Sequence, residues 1–402
     1  MKITKAERGL LAFVDKHLLL LAGAAITVLG IIARVTMFDI LSGDAGGALI
    51  PWYHAIKQYG LSTPVGDYNY TYQFLIYIFT LMDLKDPLYA YKISSGVFDL
   101  ALAVLAGLIA KKISGEGEGR RNALIAYCAV WMSPVVCLNS GAWAQCDSIW
   151  VFFALLALYL LDKDQNAWAF LALGASFAFK LQAVFVVPVF LLAYYAKRSF
   201  SLLDFALVPA SMLVFSLPTV IIGHRSVKGI LDVYLYQTDA YSVMAKNFPS
   251  FWLALCDDDS VEQYYSLKYM VIAFTVAVLA ALMLAWLKNK RPLEGRQLYE
   301  MAFLLSFTCA LFLPSMHERY GYLYEILALI IAIYRPKTLP LCVVLHYITL
   351  STYGSYLFSV EINNTLLVFL NIAAYTAYVY LLLFRDDEPA RQKCAPRLGE
   401  NQ

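Results

Sequence analysis

The sequence is poor in charged residues. Asp, Glu, Lys and Arg make up 15% of its 402 residues, whereas an ordinary soluble domain carries about 25%. No stretch is long and polar enough to form a separate soluble domain, so we predict one domain over residues 1–402. There is also no basic patch with interleaved aromatic residues, which argues against a nucleic-acid partner.

Several cofactor motifs are missing as well. None of the seven cysteines forms a C-x-x-C pair, which excludes that class of zinc or redox site. No G-x-x-x-x-G-K-[ST] loop is present to hold a nucleotide phosphate. The acidic run at 257–259 could suggest a metal, but a solvated acidic turn explains it better. We therefore expect no metal and no cofactor.

Apolar residues are abundant, at 61% of the chain. Apolar runs of about 17–20 residues recur from end to end, which is the length that a helix needs to cross a hydrocarbon core of about 30 Å. We predict an all-α, polytopic transmembrane protein with about twelve spans, and the short segments leave a range of ten to thirteen. The predicted spans are 18–35, 89–111, 122–140, 148–162, 166–181, 183–196, 202–222, 268–287, 298–314, 321–334, 338–355 and 365–384.

The Lys and Arg residues predict the orientation. They gather in alternate loops, beginning with Lys2, Lys5, Arg8 and Lys16 before the first span, and such loops are cytoplasmic as a rule. Because the first span is followed by no small-x-small cleavage site, we interpret it as uncleaved. Both termini are then cytoplasmic. The first outer loop (36–88), the second long outer loop (223–267) and the turns at 139–147, 180–182 and 315–320 face outside.

The outer segments hold the unusual polar residues, whereas a transporter with a midplane site would spread them through its spans. In the first outer loop, Asp44 precedes a segment whose apolar residues, including Trp52, repeat at helical spacing, which predicts an interfacial helix. Asp44 could cap this helix, or it could be a general base that deprotonates a sugar hydroxyl. Asp39 is a second candidate for the base.

The segment N-S-G-A-W-A-Q-C-D places amides and a carboxylate between two apolar helices. Leaving Asn139, Gln145 or Asp147 unpaired in hydrocarbon would cost several kcal/mol. These side chains therefore form a packing network between helices, or they line a sugar site. Trp143 could stack on a sugar ring or anchor the interface.

Three further segments carry candidates. Lys180 and Gln182 interrupt a long apolar stretch, and an ionisable residue at membrane depth is functional by default, although Lys180 could simply snorkel to the interface. In M-H-E-R-Y, an arginine offers bidentate phosphate recognition, and a structural Glu318–Arg319 pair is the alternative. The second outer loop is polar and aromatic, as a ligand-covering loop would be.

These motifs together resemble a known superfamily. They are R-x(9)-D-x(7)-W from Arg34 through Asp44 to Trp52, N-S-x-A-W-x-Q-x-D, K-x-Q, a Q…N-x-P-x-x-W loop and M-H-E-R-Y. Over about residues 15–385 they resemble the GT-C glycosyltransferases. More narrowly, they resemble bacterial membrane proteins related to the second mannosyltransferase of GPI-anchor synthesis. Gly141 and Ala144 stand where the family has a small residue and the glycine of W-G-Q, which is a mild departure.

The resemblance implies an inverting hexosyltransferase of the bacterial cytoplasmic membrane. Its donor would be a polyprenyl-phosphate monosaccharide and its acceptor a glycan, glycolipid or protein on the outer face. It implies that Asp44 is the catalytic carboxylate and that Lys180, His317 and Arg319 hold the leaving phosphate. The candidates for binding the sugar or the acceptor are Trp52, Asn139, Trp143, Gln145, Asp147, Gln182, Gln237, Tyr241 and Asn247.

Two other functions remain open at this point. A flippase or transporter of lipid-linked saccharide would need polar residues on both sides of the bilayer. A polysaccharide polymerase or ligase would use the same outer face with a lipid-diphosphate oligosaccharide donor.

Overall fold

A computed structural model describes residues 3–82, 84–115, 117–256 and 260–384. Within these ranges the chain is almost wholly helical, with short π-helical or 3-10 turns between helices and one pair of two-residue strands. The helices are α1 (Lys5–Val35), α2 (Ile50–Tyr59), α3 (Tyr70–Leu81), α4 (Pro87–Ile113), α5 (Gly119–Trp131), α6 (Pro134–Cys137), α7 (Asp147–Leu161), α8 (Asn166–Phe179), α9 (Val187–Lys197), α10 (Leu207–Ile222), α11 (Gly229–Ala240), α12 (Val261–Lys288), α13 (Arg296–Phe312), α14 (Tyr322–Tyr334), α15 (Leu339–Phe358) and α16 (Asn364–Val379). The strands are β1 (Ala245–Lys246) and β2 (Met316–His317).

All twelve predicted spans fall on helices, which confirms the all-α, polytopic membrane fold. Six helical segments of the described chain are long and apolar enough to cross a membrane. A seventh is a pair, α5 with the segment Pro134–Ala142, bent by 45°. The bend lies at Ser133–Pro134, because a residue before proline avoids the helical conformation. The segments α7, α8, Leu181–Lys197 and α14 are apolar but shorter.

The first outer loop contains interfacial helices, as the sequence predicted, and the second outer loop contains more helix than predicted. The expected interfacial helix of the first loop is present as α2, and α3 follows it. In α3, Tyr70 and Tyr72 are buried. In the second loop, α11 was not predicted. The acidic run at 257–259 and the basic C-terminal tail lie outside the described residues.

The helix termini define two ends of the molecule. At one, which we call the site end, Arg319 and Gln145 both contact Asp44. At the other, which we call the basic end, Lys112 contacts Asp162 and Arg296 contacts the carbonyl of Ile113. Segments that the sequence assigned to one side of the membrane are therefore neighbours in space.

A buried ion pair lies beneath the site end. The Arg34 guanidinium donates to the Asp99 carboxylate over 2.8 Å, and the Ser140 hydroxyl donates to the same carboxylate oxygen over 2.5 Å. A side chain at Gly141 would collide with Met37 and approach the Arg34 backbone. Unpaired charges would be very costly at this depth, so these contacts fix the segment from Leu138 to Ala142 against α1 and α4.

Candidate active site

The site end holds a cavity of about 320 Å³. Part of its lining is apolar and comes from the 3-10 segment Leu181–Val186, from α12 and from Leu313 and Pro314. The rest carries ionisable, amide and hydroxyl side chains. Eight of the predicted site residues line the cavity: Asp44, Trp52, Gln145, Lys180, Gln182, Gln237, Tyr241 and Arg319.

Asp44 stands between α1 and the π-helical turn Ala45–Leu49 that leads into α2. Its side chain makes no cap hydrogen bond, so the capping alternative is wrong. The Ser42 hydroxyl makes the capping hydrogen bond instead, since it accepts from the backbone N–H of Ala45. It also donates to the carbonyl of Trp143. This leaves the Asp44 carboxylate to face the cavity, with 32% of the side chain exposed.

Four donors hold the Asp44 carboxylate. Oδ2 accepts from the Trp143 indole at 2.9 Å, from the Gln145 amide at 2.7 Å and from the Arg319 guanidinium at 3.2 Å. Oδ1 accepts from the Tyr356 hydroxyl at 2.6 Å. Because Trp143 also stacks on the Tyr356 ring, with centroids 4.4 Å apart, the donors are themselves fixed.

A second carboxylate, Asp147, lies behind the cavity lining with 1% of its side chain exposed. Oδ1 accepts from the Lys180 ammonium at 2.5 Å and from the Trp150 indole at 3.1 Å. Oδ2 accepts from the Asn139 amide at 3.0 Å. Asn139 and Asp147 thus belong to a packed hydrogen-bonded layer, and neither lines the cavity.

Arg319 joins the two carboxylates. Its Nη1 reaches Asp44 at 3.2 Å, and its Nε lies 3.6 Å from Asp147 Oδ2. It also contacts Glu318 at 3.4 Å, so the structural Glu–Arg pair exists beside these other contacts. Lys180 is bonded to Asp147 and lies 5.4 Å from the Tyr68 ring centroid. Three cationic side chains therefore line the cavity: Lys180, Arg319 and Lys268 of α12.

His317 and Asn247 lie beside the cavity and do not line it. Met316 and His317 form β2, which pairs in parallel with β1. Burial, followed by the positive charge of Arg319, lowers the pKa of His317 well below its usual value. The ring is therefore neutral near pH 7, and its role in phosphate binding stays a prediction.

The structure adds residues that sequence reasoning missed. The Tyr356 hydroxyl donates a hydrogen bond to Asp44, and the Tyr353 hydroxyl accepts one from the Asn139 amide at 3.2 Å. Asp67 and Tyr68 line the cavity, and the Tyr68 hydroxyl donates to Gln145 at 3.1 Å. Threonines and tyrosines recur on one face of α15, and this was the signal available for Tyr353 and Tyr356.

Asp39, the alternative base, is placed differently. It is exposed, accepts a hydrogen bond from the Tyr89 hydroxyl at 2.9 Å and does not line the cavity. Within the described ranges, no group of three or more His, Cys, Asp or Glu side chains is arranged to hold a metal ion. The cavity thus offers the Asp44 carboxylate beside Arg319 and Lys180, a second carboxylate at Asp67, a further cation at Lys268, and amides and aromatic rings around them.

The chain was also compared with known proteins. A sequence profile of glycosyltransferase family 87 matches residues 68–314, which is more than half of the chain. Comparison with curated proteins gives no significant match. The matched range contains Gln145, Lys180 and Tyr241, and together with the long apolar helices it confirms an integral membrane glycosyltransferase. The chain belongs to glycosyltransferase family 87.

Proposed function

We propose that the protein is an inverting glycosyltransferase that moves a hexose from a polyprenyl-phosphate-linked monosaccharide to an acceptor on the non-cytoplasmic face of the membrane. The observation that carries this proposal is the cavity in which Asp44 lies within hydrogen-bonding distance of Arg319, with Lys180 nearby. A carboxylate of this kind can take a proton from an acceptor hydroxyl. The two cations can stabilise a lipid phosphate as it leaves.

The proposed reaction is a single displacement. The acceptor oxygen attacks the anomeric carbon, its proton passes to Asp44, and the bond from that carbon to the phosphate oxygen breaks with its electron pair leaving on the polyprenyl phosphate. Attack opposite the leaving group inverts the anomeric centre. The sugar must therefore lie between the base and the phosphate.

This geometry requires Arg319 to change partners. In the structure its guanidinium contacts Asp44 directly. We propose that the donor phosphate draws Arg319 away from Asp44, because the phosphodiester anion offers it bidentate contacts, and the leaving phosphate monoester gains a second negative charge. Donor binding would then release the base from one of its four hydrogen bonds and open the space that the sugar occupies.

A lipid-linked donor fits the apolar part of the cavity. The lining includes Ile272 of α12, a candidate membrane span, and Val184, whose side chain is 39% exposed. An isoprenoid chain leaving the cavity here would enter hydrocarbon. The volume supports a monosaccharide over a long oligosaccharide, since ligand pockets span about 300–1,000 Å³ and this one lies at the lower end.

The test is a transfer assay with purified protein in lipid nanodiscs. The donors are radiolabelled polyprenyl-phosphate mannose, glucose and galactose, with a lipid-diphosphate oligosaccharide as the matched alternative. We expect transfer from one or more of the monosaccharide donors. Transfer from the oligosaccharide donor alone would make the protein a polymerase or ligase, and lipid movement without transfer would make it a flippase.

The orientation is tested separately. We predict that cysteines introduced at positions 44 and 317 of a cysteine-free variant react with an impermeant thiol reagent added from outside, because basic loops are retained in the cytoplasm. Cysteines at 112 and 296, at the basic end, are the controls and should react only after permeabilisation. Labelling of 112 and 296 alone from outside would reverse the orientation.

A further inference from the structure

Asp67 is a carboxylate at the cavity that sequence reasoning missed and to which no role has been assigned. It lies in the loop between α2 and α3, directly after Gly66. Gly66 has a left-handed backbone, with φ of 60°, and a Cβ atom there would overlap the Trp52 ring. The Asp67 carbonyl accepts a hydrogen bond from the Gln237 amide of α11. The backbone of Asp67 is thus held by the close packing of Gly66 on Trp52 and by the hydrogen bond from Gln237.

The Asp67 carboxylate differs from the other two at the site. Asp44 accepts four hydrogen bonds and Asp147 accepts three from other side chains. Within the described part of the chain, the Asp67 carboxylate accepts none from another side chain. Lys180 and Arg319 act on it only through space. Burial raises the pKa of Asp67 above its ordinary value, as expected for a carboxylate short of donors.

A second acceptor in the cavity has the same deficiency. The amide oxygen of Gln182 is buried and has no hydrogen-bond partner within the described residues. Both Gln182 and Asp67 line the cavity. A buried acceptor without a donor, such as the Gln182 oxygen, is rare, because it costs free energy comparable to a lost hydrogen bond. Asp67 is half-buried, and among the described residues its carboxylate has only its own backbone N–H as a donor. The cavity therefore lacks donors at these two positions.

The missing donors restrict the ligand. A phosphate near neutral pH brings almost only acceptors, so it suits Lys180 and Arg319 and cannot satisfy Asp67. Sugar hydroxyls bring O–H donors, and carboxylates and amide oxygens are their usual protein partners. A hydrogen bond from a hydroxyl to an ionised carboxylate is also among the stronger kinds.

We propose that Asp67 and Gln182 accept hydrogen bonds from sugar hydroxyl groups, and that this part of the cavity distinguishes a glycosylated ligand from a bare lipid phosphate. The proposal rests on the proposed function and deepens it. The phosphate end of the donor contacts Arg319 and Lys180, and the hydroxyl groups contact Asp67 and Gln182. The hydroxyls could come from the donor sugar or from an acceptor sugar, since the recognition chemistry is the same.

The test compares two ligands on one protein. Affinities of the nanodisc-embedded protein are measured for bare polyprenyl phosphate and for polyprenyl-phosphate mannose, glucose and galactose. With Asp67→Asn, affinity for one or more of the sugar-bearing lipids should fall about tenfold or more, while affinity for the bare lipid stays unchanged. Asp39→Asn, an exposed aspartate of the same loop, is the matched control and should change neither.

A parallel arm addresses the acceptor. Methyl glycosides of the same three hexoses compete for an acceptor site, and Asp67→Asn should weaken their binding about tenfold if the hydroxyls belong to the acceptor. A tenfold loss in either arm supports the proposal. Unchanged affinity in both arms, or an equal loss for bare and sugar-bearing lipids, overturns it.

Deoxy sugars make the test independent of how the variants fold. For the wild-type protein, removal of the contacted hydroxyl should weaken binding about tenfold, and the same removal should have no effect on Asp67→Asn. Should no deoxy donor or glycoside bind more weakly than its parent, the proposal fails. If sugar discrimination depends on Asp67 but no sugar is transferred, then the proposed function fails and the inference stands.

Discussion

The two ends of the molecule each contain a buried carboxylate bonded to at least one cation, yet the two clusters are built differently. At the basic end, Asp162 accepts from the Lys112 ammonium at 2.5 Å and from the backbone N–H of Gly295 at 2.6 Å. None of these three residues lines the cavity. At the site end, Arg319 is divided between two carboxylates beside open space.

This difference separates a structural ion pair from a reactive one. The Asp162 contacts connect α4, α7 and the segment before α13, and they do not line the cavity. The cation at the site end has a choice between Asp44, Asp147 and a ligand. A buried charge pair alone is weak evidence of function, whereas a cation shared between carboxylates at a cavity can respond to an anion that enters.

Among variants that test the difference between the site end and the basic end, we expect the largest loss of turnover at Asp44. Asp44→Asn should lower turnover at least about 100-fold, because it removes the proposed general base, while donor binding and thermal stability change little. Turnover is measured by the radiolabel assay on purified protein. Asp39→Asn should be close to wild type. Near-normal turnover of Asp44→Asn together with loss in Asp147→Asn would place the base elsewhere.

Next in size is the expected loss of one of the proposed phosphate contacts. Arg319→Ala or Lys180→Ala should weaken donor binding about 10- to 100-fold, since a hydrogen bond to a charged group contributes about 1.5–3 kcal/mol. Arg319→Lys should not restore it fully, because an ammonium lacks the planar fork. Arg335→Ala, which breaks an arginine–glutamate pair at the basic end, is the control. Unchanged donor affinity in both site variants would refute the assignment.

The basic end should show the reverse behaviour. Asp162→Asn weakens the contact to Lys112, which is partly exposed, and should reduce the free energy of unfolding by about 1–3 kcal/mol. Turnover per folded molecule should not change. The melting temperature in detergent and the assay on the folded fraction measure the two quantities. A loss of turnover without a loss of stability would mean that the basic end contributes to catalysis.

The smallest effect concerns pH. Because burial and Arg319 lower the pKa of His317 well below 6.5, its neutral form prevails at every pH above that lowered value. Protonation of His317 therefore adds no titration between pH 6 and 8. The kcat/KM profiles of wild type and His317→Gln should have the same shape in this range, whatever the difference in level. A titration step near pH 6.5 in the kcat/KM profile of the wild type that is missing from the His317→Gln profile would contradict this expectation.

Much of the fold could be predicted because hydrocarbon imposes a simple pattern on the sequence. The twelve apolar runs all fall on helices, although only six or seven segments of the described chain are long and apolar enough to cross a membrane. The position of Asp44 before an interfacial helix pointed to the cavity. The helix α11 was missed because its apolar and polar residues lie in a loop with no long apolar run. The helical conformation of α11 depends on tertiary packing, which the local sequence does not show.

The site was predicted less completely. His317 was grouped with the cavity because it adjoins Arg319, but side chains alternate along a strand, and in β2 it is Met316 that lines the cavity. Tyr356 was missed because a tyrosine near the end of a span is typical of an interface anchor. Asp67 was hidden in a tyrosine-rich segment. Whether each of these residues faces the cavity depends on the orientation of its side chain, which only the folded structure shows.

The partners of Asp44 have a consequence for how the protein is made. They come from far along the chain, at Trp143, Gln145, Arg319 and Tyr356, and the last is 312 residues away. During synthesis, domains generally acquire structure from the N-terminus onward, so Asp44 is inserted long before α15 exists. A nascent chain cannot hold its carboxylate in place until almost all helices have entered the membrane. Chains that lack α15 are therefore expected to be inactive, and sugar transfer begins only when synthesis of the protein is nearly complete.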